Sequence, residues 1–214
     1  GARGGIAIDN YCRTSDHDIY AIGECAVWQE QIFGLVAPGY EMARVAAQHI
    51  AGSTQAVFMG ADMSTKLKLM GVDVASIGDA HSKTVGAQSF RYIDECKQIY
   101  KKIVLSADQK QLLGAVLVGD AQEYGTLLQM VLNQLPVPEN PEFLILPVAD
   151  GESKNALGVD ALPDNAQICS CNNVSKAQIC AAVAEGASDL GAIKACTRAG
   201  TSCGGCVPLV TQVM

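Results

Sequence analysis

The pattern of apolar and polar positions divides the chain into three regions. In the first, residues 1–55, two short apolar runs at 5–9 and 19–22 predict strands, and the second run is almost entirely apolar, as in a buried parallel sheet. An amphipathic pattern over 40–50 then predicts a helix, which Gly52 ends. This order of elements is typical of one end of an α/β layer, here the C-terminal part of a larger one.

The second region, residues 56–150, has an α+β pattern. Strands are predicted over 99–105 and 111–118, joined by a hairpin turn, and an apolar stripe of helical spacing predicts a helix over 124–135. Three prolines follow and end this helix: Pro136, Pro138 and Pro141.

The last part of the chain combines a polar linker with a small helical region. Residues 151–165 are rich in Gly, Ser, Asn and Asp, which is typical of a linker. Within 166–214, Ser175 and Gln178 form a capping-box pattern, Ser188 is the predicted cap of a second helix, and a third helix is predicted to start near Cys206. The predicted fold class is therefore mixed α+β.

Composition excludes several classes of protein. With 49% apolar and 17% charged residues, the 214-residue chain can bury a core. It has no apolar run long enough to span a membrane, and its net charge of −7 argues against nucleic acid, which needs a basic face. The start at Gly1, without an initiator methionine or signal peptide, is interpreted as a cut within a longer protein.

Six of the nine cysteines lie at or after Cys169. Their odd number and their C-x-C and C-x-x-C spacings point away from disulfides and toward metal ligation in a reducing compartment. We therefore expect a cytoplasmic protein.

The predicted metal ligands are four cysteines in two pairs. Cys169 and Cys171 are followed by 31 residues and then by Cys203 and Cys206. Each pair is expected at a turn before a helix, where backbone N–H groups favour thiolates. By spacing alone, an iron–sulfur cluster and zinc are both acceptable. Two further cysteines, Cys180 and Cys196, fall on apolar helix stripes and are expected to be buried fillers, and the isolated Cys12, Cys25 and Cys96 are expected to be buried or inert.

A second candidate site follows the run 19–22. Gly23 would allow a ligand to approach closely, and the Glu24 carboxylate could accept hydrogen bonds from ligand hydroxyls. From the residues alone, an ordinary acid at a strand end is the simpler interpretation.

Two of these segments resemble known families. The stretch from Thr14 to Glu24 resembles the second FAD fingerprint of pyridine-nucleotide flavoprotein reductases, which implies that Gly23 and Glu24 bind FAD, although the fingerprint more often carries Asp. The cysteine region is similar to bacterioferritin-associated-ferredoxin-like [2Fe–2S] domains, which favours iron–sulfur over zinc and implies Cys169, Cys171, Cys203 and Cys206 as ligands.

In this order, the regions resemble an internal segment of the large subunit of NAD(P)H-dependent nitrite reductases. The resemblance implies FAD, NAD(P)H and a [2Fe–2S] cluster, with sirohaem and a [4Fe–4S] cluster downstream of this segment. It implies a small nitrite reductase subunit and the rest of the polypeptide as partners, and a homodimer is possible. The segment by itself is expected to be inactive.

Two alternatives remain open at this point. One is a flavoprotein electron-transfer component for another acceptor, as in assimilatory nitrate reductase or rubredoxin-type reductases. The other is a non-catalytic, zinc-bound docking module.

Overall fold

The structure is a computed structural model, which describes residues 1, 4–147, 159, 162–169, 172–202 and 204–214. The chain forms two compact units, Gly1–Met63 and Ser64–Met214. No helix among the described residues is long and apolar enough to cross a membrane.

The first unit combines a three-stranded sheet with one helix. Strands β1 (Ile6–Ala7) and β2 (Ala26–Trp28) are parallel, and β3 (Gln31–Ile32) runs antiparallel to β2. Helix α1 spans Val36–Ile50 and buries Met42, Val45 and Ala46. It begins four residues before the predicted start. Pro38 lies in its first turn, where backbone N–H groups have no acceptor within the helix, so the proline costs the helix no hydrogen bond.

The strand predicted over 19–22 is wrong. Ile19 and Ile22 are exposed, and the backbone of this stretch bonds back to residues 12–16: Ile19 N–H donates to the Asp16 carbonyl and Ala21 N–H to the Cys12 carbonyl. These local bonds make a tight loop. The strand that pairs with β1 is β2, whose three residues are all buried.

The second unit is built on a five-stranded antiparallel sheet. Its strands are β4 (Thr65–Leu69), β5 (Val72–Gly78), β6 (Gln88–Asp94), β7 (Ile99–Leu105) and β8 (Leu112–Gly119), in the order β4-β5-β8-β7-β6. Strand β7 confirms the predicted run, and β8 differs from it by one residue at each end. The first three strands were not predicted.

Helix α2 (Tyr124–Leu132) covers one face of this sheet, packing on β5 and β8. It ends three residues before the predicted end, and Gln134 then takes a positive φ of 51°. The core beneath it includes Ile77, Ile103, Leu117, Leu127 and Met130.

The cysteine region forms a hairpin and three helices. The hairpin pairs β9 (Gln167–Cys169) with β10 (Val174–Ser175), and helices α3 (Lys176–Ala184), α4 (Leu190–Thr197) and α5 (Val207–Val213) follow. Both halves of the predicted capping box are present at α3. The predicted cap of α4 is wrong, since the cap is Asp189, whose carboxylate accepts from the Ala192 N–H at 2.8 Å.

The fold class is the predicted mixed α+β. Much of the predicted linker, 151–158 and 160–161, lies outside the described residues. Leu162 is buried in the core of the cysteine region. The packed part of this region therefore begins a few residues before the predicted boundary at 166.

Candidate functional site

Two of the four predicted metal ligands come together at one end of the cysteine region. Cys169 is the last residue of β9 and is 2% exposed, and Cys206 directly precedes α5. The Cys206 side chain lies within hydrogen-bonding reach of the Cys169 sulfur. The other two predicted ligands, Cys171 and Cys203, lie outside the described residues. The fold thus brings the sulfurs of two cysteines that are far apart in the sequence into contact.

The surroundings of Cys169 favour a thiolate. The Cys206 thiol lowers the pKa of Cys169 most, burial opposes it, and the backbone N–H groups of Gly200 and Asn172 lower it further, to about 5. Thiolate is the form that binds metals. Of the two described cysteines, Cys206 lies at a helix start, as predicted. Cys169 instead ends β9, and its N–H donors come from two turns.

Asn172 joins those two turns. Its Nδ2 donates to the Arg198 carbonyl at 2.8 Å and lies 3.3 Å from Thr201 Oγ1, 3.2 Å from Ser202 Oγ and 3.9 Å from Cys169 Sγ. Arg198 sits at the C-terminal end of α4 with a φ of 66°, which turns the chain toward the second cysteine pair. The sequence analysis missed Asn172; its only signal was an amide directly after the C-x-C pair.

The donor set fits an iron–sulfur cluster. Soft thiolate sulfurs that accept backbone N–H bonds are the ligands such clusters use, and hydrogen bonds to sulfur help set the reduction potential. Gly204, beside Cys203 and Cys206, has a φ of 73°, and a Cβ there would meet nothing within 4 Å. The same thiolates would also suit zinc.

The prediction that Cys180 and Cys196 are buried is wrong. Both are exposed, because α3 buries Ile179 and Ala182 instead and α4 buries Ile193. Of the isolated cysteines, Cys25 and Cys96 are also exposed, whereas Cys12 is fully buried, and burial raises the pKa of its thiol to about 11.

Glu24, the second candidate, lies in a single 3₁₀ turn, Gly23–Cys25, that packs against α1. The Gly23 N–H points at Met42 Sδ, 3.2 Å away, and a Cβ on Gly23, whose φ is 76°, would meet nothing within 4 Å. The Glu24 side chain is exposed. A free carboxylate beside open space at a glycine can accept hydrogen bonds from the hydroxyls of a sugar chain, which fits the chemistry of FAD.

Trp28, the last residue of β2, is buried. It is 7% exposed, packs edge-on against Phe58 with ring centroids 5.5 Å apart, and donates from Nε1 to Asn10 Oδ1 at 2.9 Å. It therefore covers the sheet.

Three family models match, one in each predicted region. Residues 1–50 match the pyridine nucleotide-disulphide oxidoreductase family, residues 64–135 the rubredoxin NAD+ reductase C-terminal domain, and residues 167–214 the BFD-like [2Fe-2S] binding domain.

Curated relatives match the whole chain. It is 61% identical to the nitrite reductase (NADH) large subunit of Escherichia coli (strain K12) over 99% of its length, and 62% identical to the nitrite reductase [NAD(P)H] large subunit of Klebsiella oxytoca over 100%. The chain is a segment of the nitrite reductase large-subunit family. It spans 25% and 22% of the length of these two relatives, which are oxidoreductases.

Solved structures support the fold. A NAD-dependent persulfide reductase from A. fulgidus matches 73% of this chain, and 32% of its own, with a TM-score of 0.52 at 24% identity. At this identity the likeness describes the arrangement of the chain and carries no conclusion about its substrate.

Proposed function

We propose that the chain is the electron-transfer segment of an NAD(P)H-dependent nitrite reductase large subunit. In this proposal it carries electrons from NAD(P)H, by way of FAD and a [2Fe–2S] cluster, toward a sirohaem and a [4Fe–4S] cluster elsewhere in the polypeptide, where nitrite is reduced to ammonium. The observation that carries the proposal is the contact between Cys169 and Cys206 within a region that matches BFD-like [2Fe-2S] domains.

The residues of this chain have distinct tasks in the proposal. Cys169, Cys171, Cys203 and Cys206 hold the cluster, and the N–H groups of Gly200 and Asn172 donate to the Cys169 sulfur. Gly23 and Glu24 hold the hydroxyl-bearing chain of FAD. Bound in these places, flavin would exchange electrons in pairs or singly, and the cluster would carry one at a time.

The relatives are large subunits, which supports a small subunit as a partner. The proposed partners are this small subunit, the rest of the same polypeptide and a second copy of the large subunit, and the proposed compartment is the cytoplasm. The segment by itself is expected to be inactive with nitrite.

Anaerobic reconstitution with iron and sulfide tests the proposal. We expect about two irons and two sulfides per chain, with the visible absorbance of a cluster. Replacing any of Cys169, Cys171, Cys203 or Cys206 by Ser should abolish the cluster, because a hard hydroxyl replaces a soft thiolate.

Exposed cysteines supply the matched controls. Cys180→Ala and Cys196→Ala should assemble the cluster normally and change the free energy of unfolding by no more than about 0.5 kcal/mol, since both side chains are exposed. A folded control variant that fails to assemble the cluster would show that the ligand set is wrong. Failure of the unaltered chain to assemble one, with stoichiometric zinc binding in its place, would favour the docking module.

A further inference from the structure

A buried glutamine on the sheet domain, which comprises strands β4 to β8 and helix α2, contacts the hairpin formed by β9 and β10. Gln129 lies on α2 and is 3% exposed. Its Nε2 donates to the backbone carbonyl of Gln167, the first residue of β9, at 2.8 Å. That carbonyl lies two residues before Cys169.

The amide of Gln129 is fixed at both ends. Asn133 Nδ2 donates to Gln129 Oε1 at 2.9 Å, which leaves the Gln129 NH₂ group pointing at β9. Asn133 Nδ2 also donates to the Gln129 backbone carbonyl at 2.9 Å, so it is anchored one helical turn away. A buried amide is tolerated only when it is hydrogen-bonded, and this one is bonded on both sides.

The hairpin continues this polar connection toward the cysteines. The Gln167 side chain donates from Nε2 to Asn173 Oδ1 at 2.6 Å, between the two strands of the hairpin. Hydrogen bonds from α2 therefore reach the hairpin on both sides of Cys169, and Asn172, beside Asn173 in the chain, bonds the end of α4.

Apolar packing supports the same contact. Leu135, just after α2, packs against the core of the sheet domain and against the core of the cysteine region. Helix α2 and strand β9 also lie in direct contact. Apolar packing has little directional preference, whereas a buried hydrogen bond fixes one register.

We propose that Gln129 is a positioning residue: it locks the hairpin that carries Cys169 onto α2 and so holds the metal site at a fixed place on the sheet domain. This role rests on the proposed function. A fixed position of the metal site matters there because the rate of electron transfer to a centre depends steeply on its distance from the donor. The hydrogen bond itself involves only residues of this chain.

Hydrogen exchange in the 214-residue chain tests the proposal. Gln129→Met keeps the length of the side chain and its helix preference but removes the donor, while Asn133 retains its backbone acceptor. We expect exchange in 165–169 to become about tenfold faster, since one net hydrogen bond is worth about that factor in a local opening equilibrium. Exchange in α4, which packs on α3, should stay unchanged. Gln122→Leu, at an exposed position before α2, is the matched control and should leave 165–169 as protected as in the unaltered chain.

Each outcome decides the matter. Equal acceleration in 165–169 and α4 would mean that Gln129 only stabilises the whole unit, and no acceleration would overturn the proposal. If Gln129→Met does not fold, Gln129→Glu at pH 8 is measured instead, because a carboxylate of the same shape cannot donate to a carbonyl. Exchange of 165–169 in the unaltered chain at the rate of an unfolded peptide would overturn the proposal without any variant.

Iron content tests the proposed function separately. A chain that takes up no iron but protects 165–169 from exchange would refute the proposed function and leave the role of Gln129 standing.

Discussion

Lys101 is the most buried charged side chain of the sheet domain, with 5% of it exposed. Its Nζ lies 2.7 Å from Asp120 Oδ2 and 2.9 and 2.7 Å from the two oxygens of Glu123. Burial opposes the charge, but the hydrogen bonds and charges of Asp120 and Glu123 outweigh it and raise the pKa of Lys101. The alternation along the strand predicts that Lys101 is buried, because it shares a face with Ile103 and Leu105. It does not predict which carboxylates pair with the Lys101 ammonium group.

We predict that Lys101→Met lowers the free energy of unfolding by about 3–5 kcal/mol, because it leaves two carboxylates close together without their cation. Lys68→Met, at an exposed position of the same sheet, should change it by no more than about 0.5 kcal/mol. Urea unfolding monitored by circular dichroism measures both. Similar stability of the two variants would mean that the ion cluster contributes nothing.

The pH dependence of this contribution has a definite sign. Because the folded pKa of Lys101 is raised, its contribution is fully present below the unfolded pKa, about 10.5, and is lost as the pH rises through the higher folded value. The difference in stability between the unaltered chain and Lys101→Met should therefore stay constant from neutral pH to about pH 10 and shrink above it.

The helix caps of the cysteine region differ in how clearly the sequence marks them. At α3, Ser175 and Gln178 bond reciprocally, as their three-residue spacing predicts. At α4, Ser188 and Asp189 are both good caps, and sequence preference alone does not choose between them. The structure selects Asp189, whose extended φ of −141° aims its carboxylate at the Ala192 N–H.

We predict that Asp189→Ala lowers the free energy of unfolding by about 1 kcal/mol, because it removes a capping bond and a favourable charge at the helix start. Ser188→Ala, its neighbour, should change the free energy by only about 0.3 kcal/mol. Thermal unfolding of both variants gives the comparison. A larger loss for Ser188→Ala would restore the cap expected from the sequence.

Strand β4 is one of the strands that the sequence pattern did not predict. Residues 65–69 alternate between lysine and leucine after Thr65, but the turn that joins β4 to β5 is Met70-Gly71, with φ values of 51° and 88°. Asn-Gly or Asp-Gly is the strong signal for such a turn, and Met-Gly is a weak one. Strand β4 pairs along its whole length with β5 across this turn, and β5 in turn pairs with β8, which is distant in the sequence.

The two family regions of Ser64–Met214 pack as a single compact unit. From composition, proteases are expected to cut first in the linker 151–165. We predict that the cut chain stays together in gel filtration, because Gln129 and Leu135 connect the sheet domain to the cysteine region. Denaturing gels would show two fragments and native gel filtration one peak. Separate elution of the small fragment would mean that the contact at α2 is too weak to hold the region.

The sequence by itself determined the features that depend on short spacing. The two cysteine pairs, the capping box at Ser175, the strand at 99–105 and the order of the three regions are all signals that neighbouring residues carry. Their physical basis is local, since a few adjacent residues fix backbone geometry or present ligands together.

Tertiary structure decided everything that depends on a distant partner. It chose 26–28 over 19–22 as the partner of β1, turned Cys180 and Cys196 outward, and brought Cys169 to Cys206. It also placed Gln129 against Gln167, 38 positions later in the chain. Pairing and burial are settled by competition among surfaces that meet only after the chain has folded, and periodicity within one segment does not contain that information.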